Sequence, residues 1–229
     1  NKAHRDRIAF MRIVSGRFDA DKEVYHVQGG KKLRLSRPQQ LMAAEREIIE
    51  EAYAGDIIGV FDPGIFSIGD TLCAPGKKFR FDPIPTFAPE HFKRVRSLDT
   101  MKRKQFLKGM EQIAQEGAIQ IFKTPYTGME EVIVGVVGTL QFDVLEYRLK
   151  NEYNVELYME GLPYEYLRWI ETDDGEPVKE EDLILGTDVK LVEDYKGNQL
   201  LLFGSQWAIG WTEERNKNLT FHEFGGTKF

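Results

Sequence analysis

Short runs rich in apolar and β-branched residues, separated by turn residues, make up the first part of the chain. The runs that predict strands are 8–14, 23–27, 33–35, 55–61 and 69–72. The acidic stretch 45–51 between them is predicted to be a loop, and no helix of ordinary length is predicted before residue 72. Strands this short and evenly spaced are typical of a small antiparallel β barrel, because closure removes unpaired strand edges.

The hydrophobic period changes near residue 88. Apolar positions then recur at helical spacing over 101–116, which predicts an amphipathic helix that Asp99 caps and Gly117 ends. A second helix is predicted over 139–153, with an apolar side formed by Leu140, Val144, Leu145 and Leu149. The predicted strands around the helices are 88–97, 119–122, 132–137 and 155–158. The resulting order, βαββαβ, is that of the ferredoxin-like split unit.

These patterns predict two domains, a β barrel over 1–88 and an α+β ferredoxin-like domain over 89–229. The length of 229 residues fits this division, since domains usually hold roughly 100–200 residues. With 41% hydrophobic and 30% charged residues, the composition is that of an ordinary globular protein. No apolar run approaches the roughly 18 residues that a membrane span needs. The single cysteine, Cys73, cannot form an intramolecular disulfide and no signal-peptide pattern is present, so a cytoplasmic location is expected.

The formal net charge of −6 is unevenly distributed along the chain. Residues 1–88 carry 14 basic and 12 acidic side chains, whereas residues 166–229 carry 7 and 13. Within 91–110, by contrast, seven basic side chains accompany the single acid Asp99. We call these seven the basic cluster: Lys93, Arg94, Arg96, Lys102, Arg103, Lys104 and Lys108.

The basic cluster has two interpretations. Lys102, Lys104 and Lys108 are predicted to spread over the helix face that the apolar residues leave free, where they could simply keep the domain in solution. Alternatively, outward-facing cations form a surface that contacts phosphates and binds with strong salt dependence. Nearly unopposed basic charge in an acidic chain favours the second interpretation, but the sequence does not distinguish RNA from an acidic protein.

No residue is predicted to be catalytic or to bind a metal. The four histidines are too scattered for a metal motif, and the acidic segment 171–182 lacks the register of a calcium loop, so it is predicted to be solvated. The pairs Gly55-Asp56 and Gly69-Asp70 are interpreted as turns rather than as catalytic aspartates. Neither a serine motif nor the pattern Gly-x-x-x-x-Gly-Lys-Ser/Thr of a nucleotide-binding loop is present.

Several motifs resemble those of a known family. The stretches AYAGDIIG at 52–59 and DPGIFSIGDTL at 62–72 are similar to the second domain of the translational GTPases. HRDRIAF at 4–10, with Ser15-Gly16, and FAPE at 87–90 resemble one branch of them, the bacterial class-II peptide-chain release factors.

The second half of the chain extends the resemblance. MKRKQFLKG at 101–109, EGAIQIF at 116–122 and GVVGTLQF at 135–142 resemble the third domain of this branch. Gln141-Phe142 stands where elongation factors would show a Gly-Glu-Leu-His-type run. A C-terminal extension of that domain would comprise strands at 189–192, 200–203 and 219–221, and a helix that Ser205 caps and that carries Trp207 and Trp211.

The resemblance implies that the chain is a C-terminal fragment without catalytic activity of its own. GTP and Mg²⁺ would be held by a GTPase domain upstream of His4, and the intact protein would promote dissociation of class-I release factors from the ribosome during termination. The implied partners are the small-subunit rRNA and ribosomal protein near the decoding region, together with the chain's own GTPase domain. Ribosome contact would then involve the basic cluster, chiefly Lys102, Arg103, Lys104 and Lys108.

Two alternatives stay open. The chain could be the corresponding part of another translational GTPase, an elongation-factor-like or ribosomal-protection protein, whose reading frame would continue into further domains past Phe229. It could also be a free-standing binding module or an unrecognised hydrolase, which an upstream nucleotide-binding loop would exclude. A reading frame that ends near Phe229 favours the release factor.

Overall fold

The computed structural model describes residues 7–20, 22–42, 45–77, 79–82, 84, 86–125 and 131–224. The chain divides into two compact units, Asn1–Ile84 and Pro85–Phe229. This division lies four residues before the boundary predicted from the sequence, because Ala88 packs against the apolar core of the second unit. The motif residues His4–Asp6 and the predicted turn at Tyr126–Gly128 lie outside the described residues.

The first unit is built from short antiparallel strands, as the short runs between turn residues predict. Its strands are β1 (Arg7–Arg12), β2 (Arg17–Asp19), β3 (Val24–His26), β4 (Lys31–Leu33), β5 (Ser36–Met42), β6 (Glu45–Ile48), β7 (Glu51–Tyr53), β8 (Ile57–Asp62) and β9 (Leu72–Cys73). They form three sheets with the orders β1-β8-β5-β6, β2-β7 and β4-β3-β9. No helix occurs among the described residues of this unit.

The prediction of a loop at 45–51 is wrong. Glu45–Ile48 forms β6, which pairs with β5, and Glu51–Tyr53 forms β7, which pairs with β2. Both strands lie at the end of their sheet. Acidic residues are compatible with such positions because charged side chains are common on edge strands.

The two Gly-Asp pairs form turns, as predicted. Gly55 and Gly69 have φ values of +103° and +91°, which favour glycine. The aspartate after each glycine accepts a hydrogen bond of 2.8 Å from the backbone N–H three residues earlier, at Tyr53 for Asp56 and at Ser67 for Asp70. The two carboxylates therefore bind the backbone that precedes each turn.

The second unit is organised around one antiparallel sheet of eight strands. They are β10 (His91–Ser97), β11 (Gln120–Lys123), β12 (Glu131–Val136), β13 (Leu157–Gly161), β14 (Tyr166–Thr172), β15 (Val189–Asp194), β16 (Gln199–Phe203) and β17 (Leu219–His222). The helices are α1 (Arg103–Gln115), α2 (Leu140–Tyr153) and α3 (Gln206–Arg215).

The strand order in this sheet is β13-β10-β12-β11-β15-β16-β14-β17. In its first half, β12 is inserted between β10 and β11, the two strands that α1 connects, which is the split βαββαβ arrangement. The second half continues the same sheet, because β15 pairs with β11. The predicted C-terminal extension is therefore a continuation of the sheet, and it includes the strand β14, which the sequence pattern did not predict.

The helices differ from the prediction in two details. Asp99 caps a 3-10 turn at Thr100–Lys102, accepting a hydrogen bond from the Met101 N–H at 2.9 Å, and α1 begins only after that turn. On α2, Leu140 and Val144 are 76% and 49% exposed. The buried side of α2 consists of Phe142, Leu145 and Leu149, which recur at helical spacing on the opposite face.

The α3 helix has the N-terminal cap that the sequence predicts, because the Ser205 hydroxyl accepts a hydrogen bond from the Ala208 N–H at 3.2 Å. Ala208 and Ile209 pack against β15 and β16. In the described part of the chain, no helix is long and apolar enough to span a membrane.

Candidate functional site

Three members of the basic cluster lie on β10, and they project from both faces of the sheet. Successive side chains of a strand point in opposite directions. Lys93 projects toward the helices, where its Nζ lies 4.5 Å from the centre of the Phe142 ring. Arg94 and Arg96 project from the opposite face. The seven cations therefore do not form one continuous surface.

Arg94 and Arg96 face partners on the neighbouring strand β13. Arg94 lies opposite Glu160 in the ladder and donates a hydrogen bond to its carboxylate at 3.0 Å. Arg96 lies opposite Tyr158, with the guanidinium carbon 4.6 Å from the centre of the tyrosine ring. Both members of the second pair are exposed, and Tyr158 is 45% accessible. A guanidinium stacked on an aromatic ring keeps its hydrogen-bond donors free to bind a phosphate.

The other four members lie where the chain enters α1, and we call them the helix-start group: Lys102, Arg103, Lys104 and Lys108. Lys102 is half-buried in the 3-10 turn, so it does not share the α1 face on which the sequence placed it. Lys104 and Lys108 are four residues apart on α1 and exposed. Within the described ranges, the ammonium groups of Lys102, Lys104 and Lys108 make no ion pair or hydrogen bond.

Lys102, Arg103 and Lys104 sit at the end of α1 where positive charge is least favourable, whereas Lys108 lies in its second turn. The N-terminus of a helix carries a partial positive charge from its aligned peptide dipoles and free N–H groups. The first turn of α1 contains no acidic residue that would offset this charge. Lys102 and Lys104 therefore gain nothing from the helix dipole, whereas an anion bound beside them would interact favourably with both the side chains and the dipole.

The pairs with Tyr158 and Glu160 could not be found from the sequence alone. Both residues lie far along the chain from β10 and meet it only through the β10–β13 register. The one available signal was Tyr158 itself, an aromatic residue in the strand predicted over 155–158. Exposure of Tyr158 follows from its place on β13, the end strand of the sheet.

The remaining chemically reactive side chains have structural partners. The Nε2 atom of the buried His26 lies 2.8 Å from the Asp70 carboxylate, and Nε2 of His222 lies 3.3 Å from the Glu171 carboxylate. The Cys73 thiol donates to the Lys77 carbonyl at 3.0 Å. Across the described residues, no group of three or more His, Cys, Asp or Glu side chains is arranged to hold a metal ion.

The acidic segment 171–182 is largely exposed, as the sequence predicts for a solvated loop. Its first two residues belong to β14, and a short 3-10 turn covers Glu180–Asp182. The Glu176 N–H donates to the carboxylate of Asp174, and this hydrogen bond lowers the pKa of Asp174 below its ordinary value. The segment therefore has local turn structure.

Comparison with known proteins relates the two units to translation factors. Residues 81–213 match the family described as Class II release factor RF3, C-terminal domain. Residues 1–75 match the family described as Elongation factor G domain 2.

Curated relatives match almost the whole chain. A peptide chain release factor 3 from Symbiobacterium thermophilum is 53% identical over 221 residues, and its counterpart from Gloeobacter violaceus is 46% identical over 220 residues. A third, from Listeria monocytogenes, is 45% identical over 219 residues. Each comparison covers 96% of this chain, whereas the chain spans only 41% of the length of each relative.

Proposed function

This chain belongs to the class II release factor RF3 family, and from that premise we propose that it forms the ribosome-docking part of a GTP-dependent release factor. The parent would dissociate class-I release factors from the ribosome during termination, in the cytoplasm. GTP and Mg²⁺ would be bound by residues that precede this chain. The proposal is supported by relatives named peptide chain release factor 3, each much longer than the chain.

The release-factor interpretation is favoured over an elongation-factor-like parent. The match of residues 81–213 is to a release factor C-terminal domain, and it covers the βαββαβ region together with most of its continuation. The identity of 53% with a release factor over 221 residues supports the same choice. It also argues against a free-standing binding module.

The first unit would be a translation-factor barrel that couples the docking part to the GTPase domain. The match to elongation factor G domain 2 and the short antiparallel strands support this role. The domain division would follow the two units, Asn1–Ile84 and Pro85–Phe229.

The helix-start group is the observation that carries the docking role. Lys104 and Lys108 are exposed and Lys102 is half-buried, and the lysines next to the N-terminus of α1 oppose the helix dipole. A local arrangement that costs stability without benefit to the fold is expected at a functional surface. Arg96 stacked on Tyr158 would add a second phosphate contact on the other face of the sheet.

We expect the partners to be small-subunit rRNA, contacted through its phosphates, and ribosomal protein near the decoding region. Phosphate contacts position a protein on RNA without reading its sequence. This role suits lysines and arginines on a helix surface, and it requires no catalytic residue in this chain.

The proposal is tested with the parent protein in a reconstituted termination reaction. Replacement of Lys102, Arg103, Lys104 and Lys108 by alanine is expected to slow dissociation of the class-I factor about tenfold or more, because several phosphate contacts are lost together. A matched control replaces four exposed lysines elsewhere in the second unit, Lys150, Lys179, Lys196 and Lys217, and so removes the same charge. Equal rates for the two variants would contradict the docking role of the helix-start group.

A further inference from the structure

The solvent face of α3 carries two tryptophans. Trp207 is 72% exposed, Trp211 is half-buried, and their ring centres lie 6.4 Å apart. The Arg215 guanidinium carbon lies 4.0 Å from the centre of the Trp211 ring. Large aromatic side chains are among the residues that contribute most to protein interfaces, yet this pair leaves much of its apolar surface in water.

Gly210 is exposed on α3, on the side of Trp207 away from Trp211. A Cβ atom at this position would meet no other atom within 4 Å. The glycine in α1 is different, because a Cβ at Gly109 would lie 2.5 Å from Cδ2 of the buried Leu149. Close helix packing therefore requires Gly109, whereas nothing in the fold requires Gly210.

Glycine is the least favourable residue in a helix interior apart from proline. The cost at Gly210 is unexplained by this chain, but the missing side chain leaves open space over the helix next to Trp207, which we call the notch. A partner's backbone could approach α3 closely there, and a side chain at this position would fill the notch.

The surroundings of this face are acidic. Glu214 follows Trp211 by three residues on the same face and is well exposed, with Glu213 beside it and Arg215 at 3.9 Å as an exposed ion-pair partner. The segment that contains Glu180–Asp182 is tied to the end of α3, because Ile184 and Asn216 exchange two hydrogen bonds of 2.9 Å. These carboxylates disfavour the phosphates of RNA and favour the cations of a protein.

We propose that the face formed by Trp207, Gly210, Trp211 and Glu214 docks a protein segment in which a lysine or arginine lies next to an apolar side chain. The apolar side chain would occupy the notch over Gly210. The cation would stack on the exposed Trp207 ring and pair with Glu214. Tryptophan is the aromatic residue that binds cations most strongly. That the docked segment belongs to a ribosomal protein rests on the proposed function. That the face binds such a segment at all does not.

The chemistry is tested with the 229-residue chain by fluorescence titration. Two short synthetic peptides are compared, one alternating leucine with lysine and one alternating leucine with glutamate, together with a uridine oligonucleotide. The lysine peptide is expected to bind about tenfold more tightly than either of the others, and Trp207→Ala or Gly210→Gln to weaken it about tenfold. Equal affinity for the three probes, or no effect of either substitution, would overturn the proposal.

The location is tested with the parent protein carrying a photo-crosslinking benzoylphenylalanine in place of Trp207. Co-sedimentation with ribosomes measures the docking proposed above, and the crosslinked product identifies what covers α3. A crosslink to a lysine- or arginine-rich stretch of a ribosomal protein, lost in the Gly210→Gln background, is expected. A crosslink to rRNA, to the parent's own GTPase domain, or none in complexes that do sediment, would refute this location while leaving ribosome docking intact.

Discussion

Arg7 and Asp62 face each other across the β1–β8 ladder, and the Arg7 guanidinium donates a hydrogen bond to Oδ2 of Asp62 at 2.9 Å. The other carboxylate oxygen, Oδ1, accepts hydrogen bonds from the N–H groups of Gly64, Ile65 and Phe66 at 2.9, 2.7 and 3.3 Å. The buried Asp62 thus joins the first strand to the loop after β8.

Removal of this carboxylate is expected to destabilise the first unit. Asp62→Ala removes the acceptor of three backbone N–H groups and one of the acceptors of the Arg7 guanidinium, so the free energy of unfolding should fall by about 3 kcal/mol. Urea denaturation followed by far-UV circular dichroism measures the loss. Tryptophan fluorescence should change little, because Trp169, Trp207 and Trp211 all lie in the second unit.

The matched control for Asp62 is Glu51→Gln. Glu51 also pairs with an arginine, Arg17, at 2.7 Å, but both side chains are about half exposed. Exposed pairs contribute about 0.5 kcal/mol. If Asp62→Ala proved no more harmful than this control, the buried carboxylate would not organise the loop.

The two helix glycines should respond to alanine in opposite directions. Gly109→Ala is expected to lower the free energy of unfolding of the second unit by about 1–3 kcal/mol, because the added methyl group overlaps Leu149. Gly210→Ala should raise it by about 0.5–1 kcal/mol, because alanine favours the helix and meets no neighbour. Urea denaturation followed by tryptophan fluorescence measures both. A destabilising Gly210→Ala would mean that the fold itself requires this glycine.

The charge at the start of α1 should cost stability. Lys104→Glu places a negative charge in the first turn, so the free energy of unfolding is expected to rise by about 0.5 kcal/mol at low salt, and the gain should shrink as salt is added. Lys150→Glu, in the last turn of α2, should instead lower the free energy of unfolding, because a cation is favourable there. The same direction of change for both variants would count against the dipole explanation.

The acid sensitivity of the first unit should depend in part on Asp19. A hydrogen bond from Lys22 at 2.6 Å and the nearby Arg17 hold the pKa of Asp19 below its ordinary value. A depressed folded-state pKa contributes stability above the unfolded pKa, about 3.9, and this contribution disappears as the pH falls through the folded pKa.

We therefore expect Asp19→Asn to lower the free energy of unfolding near neutral pH and to have no effect at about pH 2. Urea titrations of the wild type and the variant at the two pH values measure the difference. A penalty of equal size at both pH values would show that the carboxylate charge is not its cause.

Local sequence signals predicted most of the elements. Helical spacing located α1 and α2, and the cap at Ser205 and the turns at Gly55 and Gly69 depend only on neighbouring residues. Features that depend on distant residues were missed. The role of Asp62 requires Arg7, and the strand β6 is recognisable only through its pairing with β5.

At the candidate site, too, local features were predicted and features that depend on distant residues were not. Composition identified the basic cluster, but strand alternation sends Lys93 and Arg94 to opposite faces, and the 3-10 turn separates Lys102 from the exposed face of α1. The stacking of Arg96 on Tyr158 depends on the β10–β13 register, which no local pattern encodes.

The central claim, that the helix-start group docks the protein on ribosomal phosphates, is tested most directly by the salt dependence of ribosome binding by the 229-residue chain. A plot of log affinity against log salt concentration should become less steep by about 3 when Lys102, Arg103, Lys104 and Lys108 are replaced by alanine, since each phosphate contact contributes about 0.7–0.9. The control variant that lacks Lys150, Lys179, Lys196 and Lys217 should keep the slope of the wild type. An unchanged slope and affinity for the helix-start variant would contradict the claim.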